Sequence, residues 1–148
     1  MSLNDPVTNM KHVMCINPIV VAAAATVDGA SVDTKGFRWA TFTVQIGVAG
    51  GATLTGIAAT ITSDPVTGGA FATAISGATF TAATLLAGAA CLSGRIDCNK
   101  LDYSTSRWLR IEVTVAGAAV SVPISAVCVL SDSEDNTKYQ TETYEFTV

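Results

Sequence analysis

Three stretches of this chain place apolar and polar residues in alternation, and that spacing admits one kind of local structure. In residues 37–48, Ala40, Phe42, Val44, Ile46 and Val48 fall on one side, with Trp39, Thr41, Thr43 and Gln45 on the other. Successive side chains of a β-strand point to opposite faces, so the pattern describes a strand with one face in a core. Residues 108–115 repeat it: Leu109, Ile111, Val113 and Val115 face inward, Trp108, Arg110, Glu112 and Thr114 outward. In residues 119–130, Val120, Val122, Ile124, Ala126, Cys128 and Leu130 alternate with Ser121, Pro123 and Ser125. Pro123 has no N–H for a ladder, which predicts an edge strand or a bulge at that point.

The remaining residues are read around these strands. From Val13 onward Val, Ile and Thr dominate, and β-branched side chains suit a pleated surface. Asp28-Gly29 and Val32-Asp33-Thr34-Lys35-Gly36 supply turns. Gly50-Gly51 predicts a tight connection that returns residues 52–62 as the partner of the preceding strand, and Ala116-Gly117-Ala118 predicts a second hairpin. Asp64-Pro65 with Gly68-Gly69 breaks the chain before residues 70–75, and Ser76-Gly77 precedes another extended piece at 78–81. Residues 82–92, rich in Ala and Leu, are the one helix candidate, limited to two turns by Gly88. Residues 93–106 read as a polar loop anchored by Tyr103, and 131–136 as a solvated acidic loop. Residues 138–148 read as a final strand in which Tyr144, Phe146 and Val148 alternate with Glu145 and Thr147. Residues 1–11 contain Pro6 and show no periodicity, so they form an extended N-terminal arm ahead of one domain, 12–148. Seven to nine short strands with turn signals every eight to twelve residues describe an all-β sandwich, jelly-roll or immunoglobulin-like, with one short helix.

Composition narrows the function. Only 14% of residues are charged against 49% hydrophobic, so the chain folds, and much of its surface must be neutral Ala, Thr, Ser and Gly. A net charge of -4 and the absence of a Lys/Arg stripe argue against nucleic acid as a partner. No apolar stretch approaches the ~20 residues that span a bilayer, so no membrane helix is expected. Residues 13–27 superficially resemble the apolar region of a signal peptide, but Asp5 and Pro6 precede Lys11 and Asn17-Pro18 interrupts the run, so export is not expected.

Chemistry-bearing groups are sparse. His12 is the single histidine, too little for imidazole acid/base work or a multi-histidine metal site, and reads as an exposed surface residue. No serine sits in a nucleophile elbow, and the Gly-Gly pairs lack a phosphate loop's lysine. Calcium at Asp132, Glu134 and Asp135 is conceivable, but the run lacks the glycine and distal glutamate of a recognised loop. Cys128, inside an apolar run, reads as a small buried hydrophobe. Cys91 and Cys98 are close enough in sequence to suggest a local disulfide, which a bacterial cytosol would keep reduced. No catalytic residue, metal or cofactor is expected. Trp39 and Trp108 lie opposite the aliphatic stripes of their strands. Each either packs against its own domain or anchors an interface.

The block Val32-Asp33-Thr34-Lys35-Gly36-Phe37, a Thr-rich strand ending in Thr62-Ser63-Asp64, and Ser106-Arg107-Trp108-Leu109-Arg110-Ile111 follow one another before a valine-rich strand. In this order they resemble motifs of small virion proteins of tailed bacteriophages, over roughly residues 28–131. The resemblance implies a β-sandwich that decorates or cements the phage head, made in the host cytoplasm and bound to the major capsid protein on the capsid surface, often as a homo-oligomeric trimer. Residues 82–99 and the stretch after Ser131 depart from the pattern. The residues expected at a partner interface are Pro6, Met10, His12, Trp39, Trp108, Tyr144 and Phe146. The competing readings are another phage component of tail, neck or head-fibre base, and a secreted adhesin or carbohydrate-binding module whose Trp39, Trp108 and Tyr103 stack on sugar rings.

Overall fold

The computed structural model describes residues 10–50, 53–83, 89–118 and 121–133. Within them the strands are β1 (Met10–Val21), β2 (Ala25–Asp28), β3 (Val32–Asp33), β4 (Phe37–Ile46), β5 (Thr53–Asp64), β6 (Thr73–Ala83), β7 (Ala90–Asp97), β8 (Trp108–Ala118) and β9 (Val122–Ser133). A 3-10 turn, Cys98–Lys100, and a single-turn helix, α1 (Tyr103–Ser106), join β7 to β8. The strands form two antiparallel sheets, ordered β1-β9-β4-β7 and β2-β8-β5-β6, with β3 also paired to β8. This interleaving is a jelly roll, which decides between the two sandwich types left open above.

Burial follows the alternation. Ala40, Phe42, Val44 and Ile46 of β4, Leu109, Ile111, Val113 and Val115 of β8, and Val122, Ile124, Ala126, Cys128 and Leu130 of β9 are all buried in one core. Each fully buried side chain such as Phe42 or Ile111 contributes about 1.5–3 kcal/mol, the scale of a disulfide, so the sandwich stands without covalent staples. Val48 does not continue the inward face; it is exposed because β4 ends at Ile46. Gly94 lets the two sheets approach closely, since a side chain there would overlap the Phe80 ring that packs on it.

Several local expectations are corrected. Residues 52–62 are not the hairpin partner of β4, and β8 and β9 are not a hairpin: each pair is split between the two sheets. Alternation states which face a strand buries, not which strand lies beside it, and here each connection crosses the core. Residues 70–81 form no pair of separate pieces but belong largely to β6, which is bulged where its register with β5 shifts between Thr60 and Thr62, with Gly77 at φ 77°.

The helix expected over 82–92 is overturned at both ends. Ala82 and Ala83 belong to β6, and Ala90 to Leu92 pair with Ile46 to Val44 of β4; residues 84–88 lie outside the described residues. Helix propensity differs by only a few tenths of a kcal/mol per residue, less than ladder pairing and burial supply. The polar loop expected over 93–106 is likewise β7 to Asp97, then two short turns started by Asp97 and Asp102, whose carboxylates accept from the Asn99 and Ser104 backbone N–H. Tyr103 lies 37% exposed on α1, and Leu101 packs on the core.

Ser131 to Ser133, expected in the acidic loop, belong to β9, and the rest of that stretch lies outside the described residues. Pro123 lies in a strand flanked on both sides. It is accommodated because its carbonyl accepts from Gly47 N–H at 2.8 Å, just past the end of β4, where the ladder needs no donor. Met10 and Lys11, assigned to the arm by sequence, open β1 opposite Ser131 and Leu130. Cys91 and Cys98 are free thiols, one exposed and one buried. With β7 extended between them at about 3.3 Å per residue they stand roughly 20 Å apart, beyond disulfide reach.

Candidate interaction surface

Residues paired across antiparallel strands share a face, and the register therefore draws the outside of the four-stranded sheet row by row. The first row is Met10, Ser131, Trp39 and Asp97; the second His12, Val129, Thr41 and Arg95; the third Met14, Val127, Thr43 and Ser93. Ser125, Gln45 and Cys91 follow, then Val20 and Pro123. In the middle rows polar side chains are tied sideways in pairs: Thr43 Oγ1 lies 3.2 Å from Ser93 Oγ, and Ser125 Oγ donates to Gln45 Oε1 at 3.3 Å. Arg95 lays its guanidinium over the Trp39 ring at 4.1 Å, with Arg38 at 5.2 Å, so Trp39 is half-buried beneath cations. Arg38 also meets Asp132, held in the left-handed region at φ 59°, at 3.6 Å.

The large exposed hydrophobics of this sheet sit on β1: Met10, Met14 and Val20 on the outer face are 41%, 53% and 59% exposed, and Ile19, paired with buried Ile124 at the sheet's edge, is 39% exposed, while Val48, Val66 and Tyr103 lie elsewhere among the described residues. Among the described residues β1 pairs with β9 on one side and ends the sheet on the other, where its Cys15 carbonyl accepts from the Ala30 N–H at 2.7 Å. At its far end Pro18, Ile19, Val20, Gln45, Pro123 and Ile124 help to line a shallow, mostly apolar groove of about 410 Å³.

The outside of the five-stranded sheet is organised differently. Arg110 reaches Glu112 at 2.5 Å and Asp28 at 3.7 Å, and stacks on Phe71 at 4.6 Å. Thr62 Oγ1 donates toward Glu112 Oε1 at 3.2 Å, and Thr26 and Thr114 join hydroxyls at 2.9 Å. Beside this network the three motif blocks of the sequence converge. Val32 and Asp33 pair with Leu109 and Trp108, as Ser63 and Asp64 do from the other side. Arg107 grips the Asp33 carboxylate through Nε at 2.9 Å and Nη2 at 2.5 Å, and Thr34 donates to the Arg107 carbonyl at 2.7 Å. Burial alone would raise the Asp33 carboxyl, but the Arg107 hydrogen bond, the Lys35 N–H and the Arg107 charge outweigh it and hold the group below its ordinary value. The motifs thus build a structural joint.

Of the residues expected at an interface, Met10, His12 and Trp39 come together in two adjacent rows, and Trp108, stacked with Arg107 at 5.4 Å, lies on the opposite sheet. The two tryptophans therefore form no common platform. Pro6, Tyr144 and Phe146 lie outside the described residues, as do Glu134 and Asp135 of the conceivable calcium set; Asp132 is engaged by Arg38. Met14, Ile19 and Val20 were missed because residues 13–27 read as one run; the Met10-His12-Met14 spacing was the available signal.

Burial pushes the Cys15 thiol up to about 11 and that of Cys98, beside Asp97, to about 12, and raises Cys128 further still, so these three stay protonated at neutral pH. Among the described residues no group of three His, Cys, Asp or Glu is placed to hold a metal, and no helix is long and apolar enough to cross a membrane.

No protein-family model matches the sequence, and no curated protein matches it. Solved structures do share the fold. A chain of infectious bursal disease virus, Gx strain, is similar at a TM-score of 0.52 and 14% identity, over 86% of this chain and 32% of that one. The VP2 subviral particle of infectious bursal disease virus gives 0.51 and 12%, over 92% and 34%. A Bacillus endospore appendage of disulfide-linked pili gives 0.49 and 14%, over 84% and 89%. This chain spans about a third of the viral chains, and at such identities the likeness is one of fold.

Proposed function

We propose that this chain is a non-enzymatic structural protein of a tailed-bacteriophage virion, a decoration or cement protein that docks on the major capsid protein of the head as a homo-oligomer, most simply a trimer at three-fold positions. One observation carries the reading: the middle of the outer face of the four-stranded sheet, from Met14, Val127, Thr43 and Ser93 to Ser125, Gln45 and Cys91, carries no charge, and the bordering strand β1 exposes Met10, Met14, Ile19 and Val20. Such a face loses little by leaving water, because its hydroxyls already pair with each other and its aliphatic groups gain on burial. Repetition on a symmetric shell then multiplies weak contacts into avidity. The order of the sequence motifs supports the phage assignment, and the jelly-roll shared with viral chains is compatible with it. The low charge of the chain, 14% of residues, supports adhesion over catalysis.

The test is immunogold labelling with antibody against the chain, applied to phage particles from an induced lysate of the bacterium carrying the gene. Gold on filled heads in symmetric positions is expected. Gold on tails alone, or on the bacterial surface with none on particles, would overturn the reading.

A further inference from the structure

The buried thiols Cys15 and Cys128 stand on neighbouring strands and play no part in the candidate surface. Val13 pairs with Cys128 and Ile16 with Ala126, so β1 takes three residue steps where β9 takes two, and Cys15 sits in the resulting bulge. The bulge turns both Cys15 and Ile16 into the core that holds Cys128. Three steps compressed into two place Cys15 about 4–5 Å further along than Cys128 and about 5 Å across from it. The Cα atoms are then about 6–7 Å apart, in the upper part of the range that disulfides span. The side chain closes part of that gap: the Cys15 thiol donates to the Val13 carbonyl at 3.6 Å and accepts from the Cys128 N–H, so its sulfur lies against the backbone of Cys128. No other pair fits as well. Cys98 follows β7, and β4 stands between β7 and β9, which puts Cys98 two strand spacings or about 10 Å from β9, beyond the limit of about 7 Å. Cys91 faces outward in the row of Gln45.

We propose that Cys15 and Cys128 are a latent disulfide pair that closes in oxidising surroundings and staples β1 to β9. A reducing cytosol keeps both as thiols. Elsewhere a small disulfide such as oxidised glutathione is the oxidant. One cysteine thiolate attacks it and expels a glutathione thiolate, the second cysteine displaces the other glutathione, and the two protein protons end on the two glutathione thiols. Two protein thiols are oxidised and one small disulfide is reduced. Burial holds both groups protonated once β1 is docked, so exchange takes place while the strand is open and the bond is sealed as it docks. β1 is the strand such a bond serves best, because it ends the sheet and register shifts on both sides of Ile16 interrupt its ladder. Fixing β1 also fixes Met10, Met14 and Val20, the exposed apolar side chains of the outer face. The inference does not depend on the virion reading.

The full chain, reduced and unfolded in urea, is refolded with oxidised glutathione in excess over reduced. Remaining thiols are alkylated, and the folded fraction is digested with trypsin. The four cysteines fall in separate peptides, 12–35, 39–95, 96–100 and 111–138, so mass spectrometry identifies the partners. Peptides 12–35 and 111–138 are expected as one species, lighter by two hydrogens than their sum. Amide exchange along β1 is expected to slow at least about tenfold against the reduced wild type, and Cys15→Ala is expected to lose both effects. Four unlinked cysteines, a link through Cys91 or Cys98, or the expected link with exchange along β1 unchanged would each overturn the proposal.

Discussion

The two outer faces of the sandwich cover the same core from opposite sides and differ in how their polar atoms are satisfied. Outside the five-stranded sheet, Arg110 links Asp28 and Glu112, Thr62 reaches Glu112, and Phe71 closes over the guanidinium. Outside the four-stranded sheet the charged groups keep to the end rows, Arg95 on Trp39 and Arg38 with Asp132, while the middle rows hold uncharged pairs such as Thr43 with Ser93 and Ser125 with Gln45. A long-range charged network fixes its own geometry and leaves charges to be desolvated by any partner, which is costly. The uncharged middle rows of the other face have little to lose. Under the proposed function, stability and adhesion fall on different sides of one molecule.

The comparison can be broken first at the core that both faces share. Phe42→Ala removes a fully buried ring of β4 and is expected to lower stability by about 3–5 kcal/mol in a single urea transition. Two separated transitions would mean that the sheets are independent and the contrast between their faces has no common reference. The next test sets one face against the other. Glu112→Ala leaves Arg110, whose Nε is already buried without a partner, lacking its nearest carboxylate, at a cost of about 2 kcal/mol. Met14→Thr on the opposite face, at a site 53% exposed, is expected to change stability by less than about 0.5 kcal/mol. Equal midpoint shifts in urea would erase the distinction.

Smaller effects sharpen the picture. Native protein exposed to a thiol reagent at neutral pH is expected to react at Cys91 alone, with Cys15, Cys98 and Cys128 appearing only after denaturation; mass spectrometry of the labelled peptides reads this directly. The joint at Asp33 gives the smallest signal. Its carboxyl is held below the ordinary range when folded, so its contribution is present above the unfolded value, about 4, and lost as pH falls through the folded value. Asp33→Asn is expected to flatten that part of the acid unfolding curve, and an unchanged slope below pH 4 would show that Arg107 holds nothing there.

Much of the fold was legible because alternation is a local property. Phe42, Ile111 and Ile124 announce their inward direction through their neighbours alone. Strand partnership is not local, so two apparent hairpins proved to be crossings between sheets. Residues 90–92 looked helical because Ala and Leu carry that propensity, and the decisive term, pairing with Val44 to Ile46, comes from distant sequence. The candidate face was half legible for a related reason. Met10, His12 and Trp39 were named singly, but only the register of β1, β9 and β4 shows them adjacent, and the shifts between Met14, Ile16 and Ile19 hid the apolar end of β1 from any periodic reading. Trp108 follows Arg107 in a joint that holds β3, β5 and β8 together, on the sheet opposite Met10, His12 and Trp39, a separation that alternation alone does not show.

Oxidative footprinting of the free chain and of the same chain on its particle tests the assignment of adhesion to one face most directly, because Met and Trp report from both sides. Met10, Met14 and Trp39 are expected to lose labelling on the particle while Trp108 keeps it. Protection of Trp108 with Met10, Met14 and Trp39 unchanged would contradict the account.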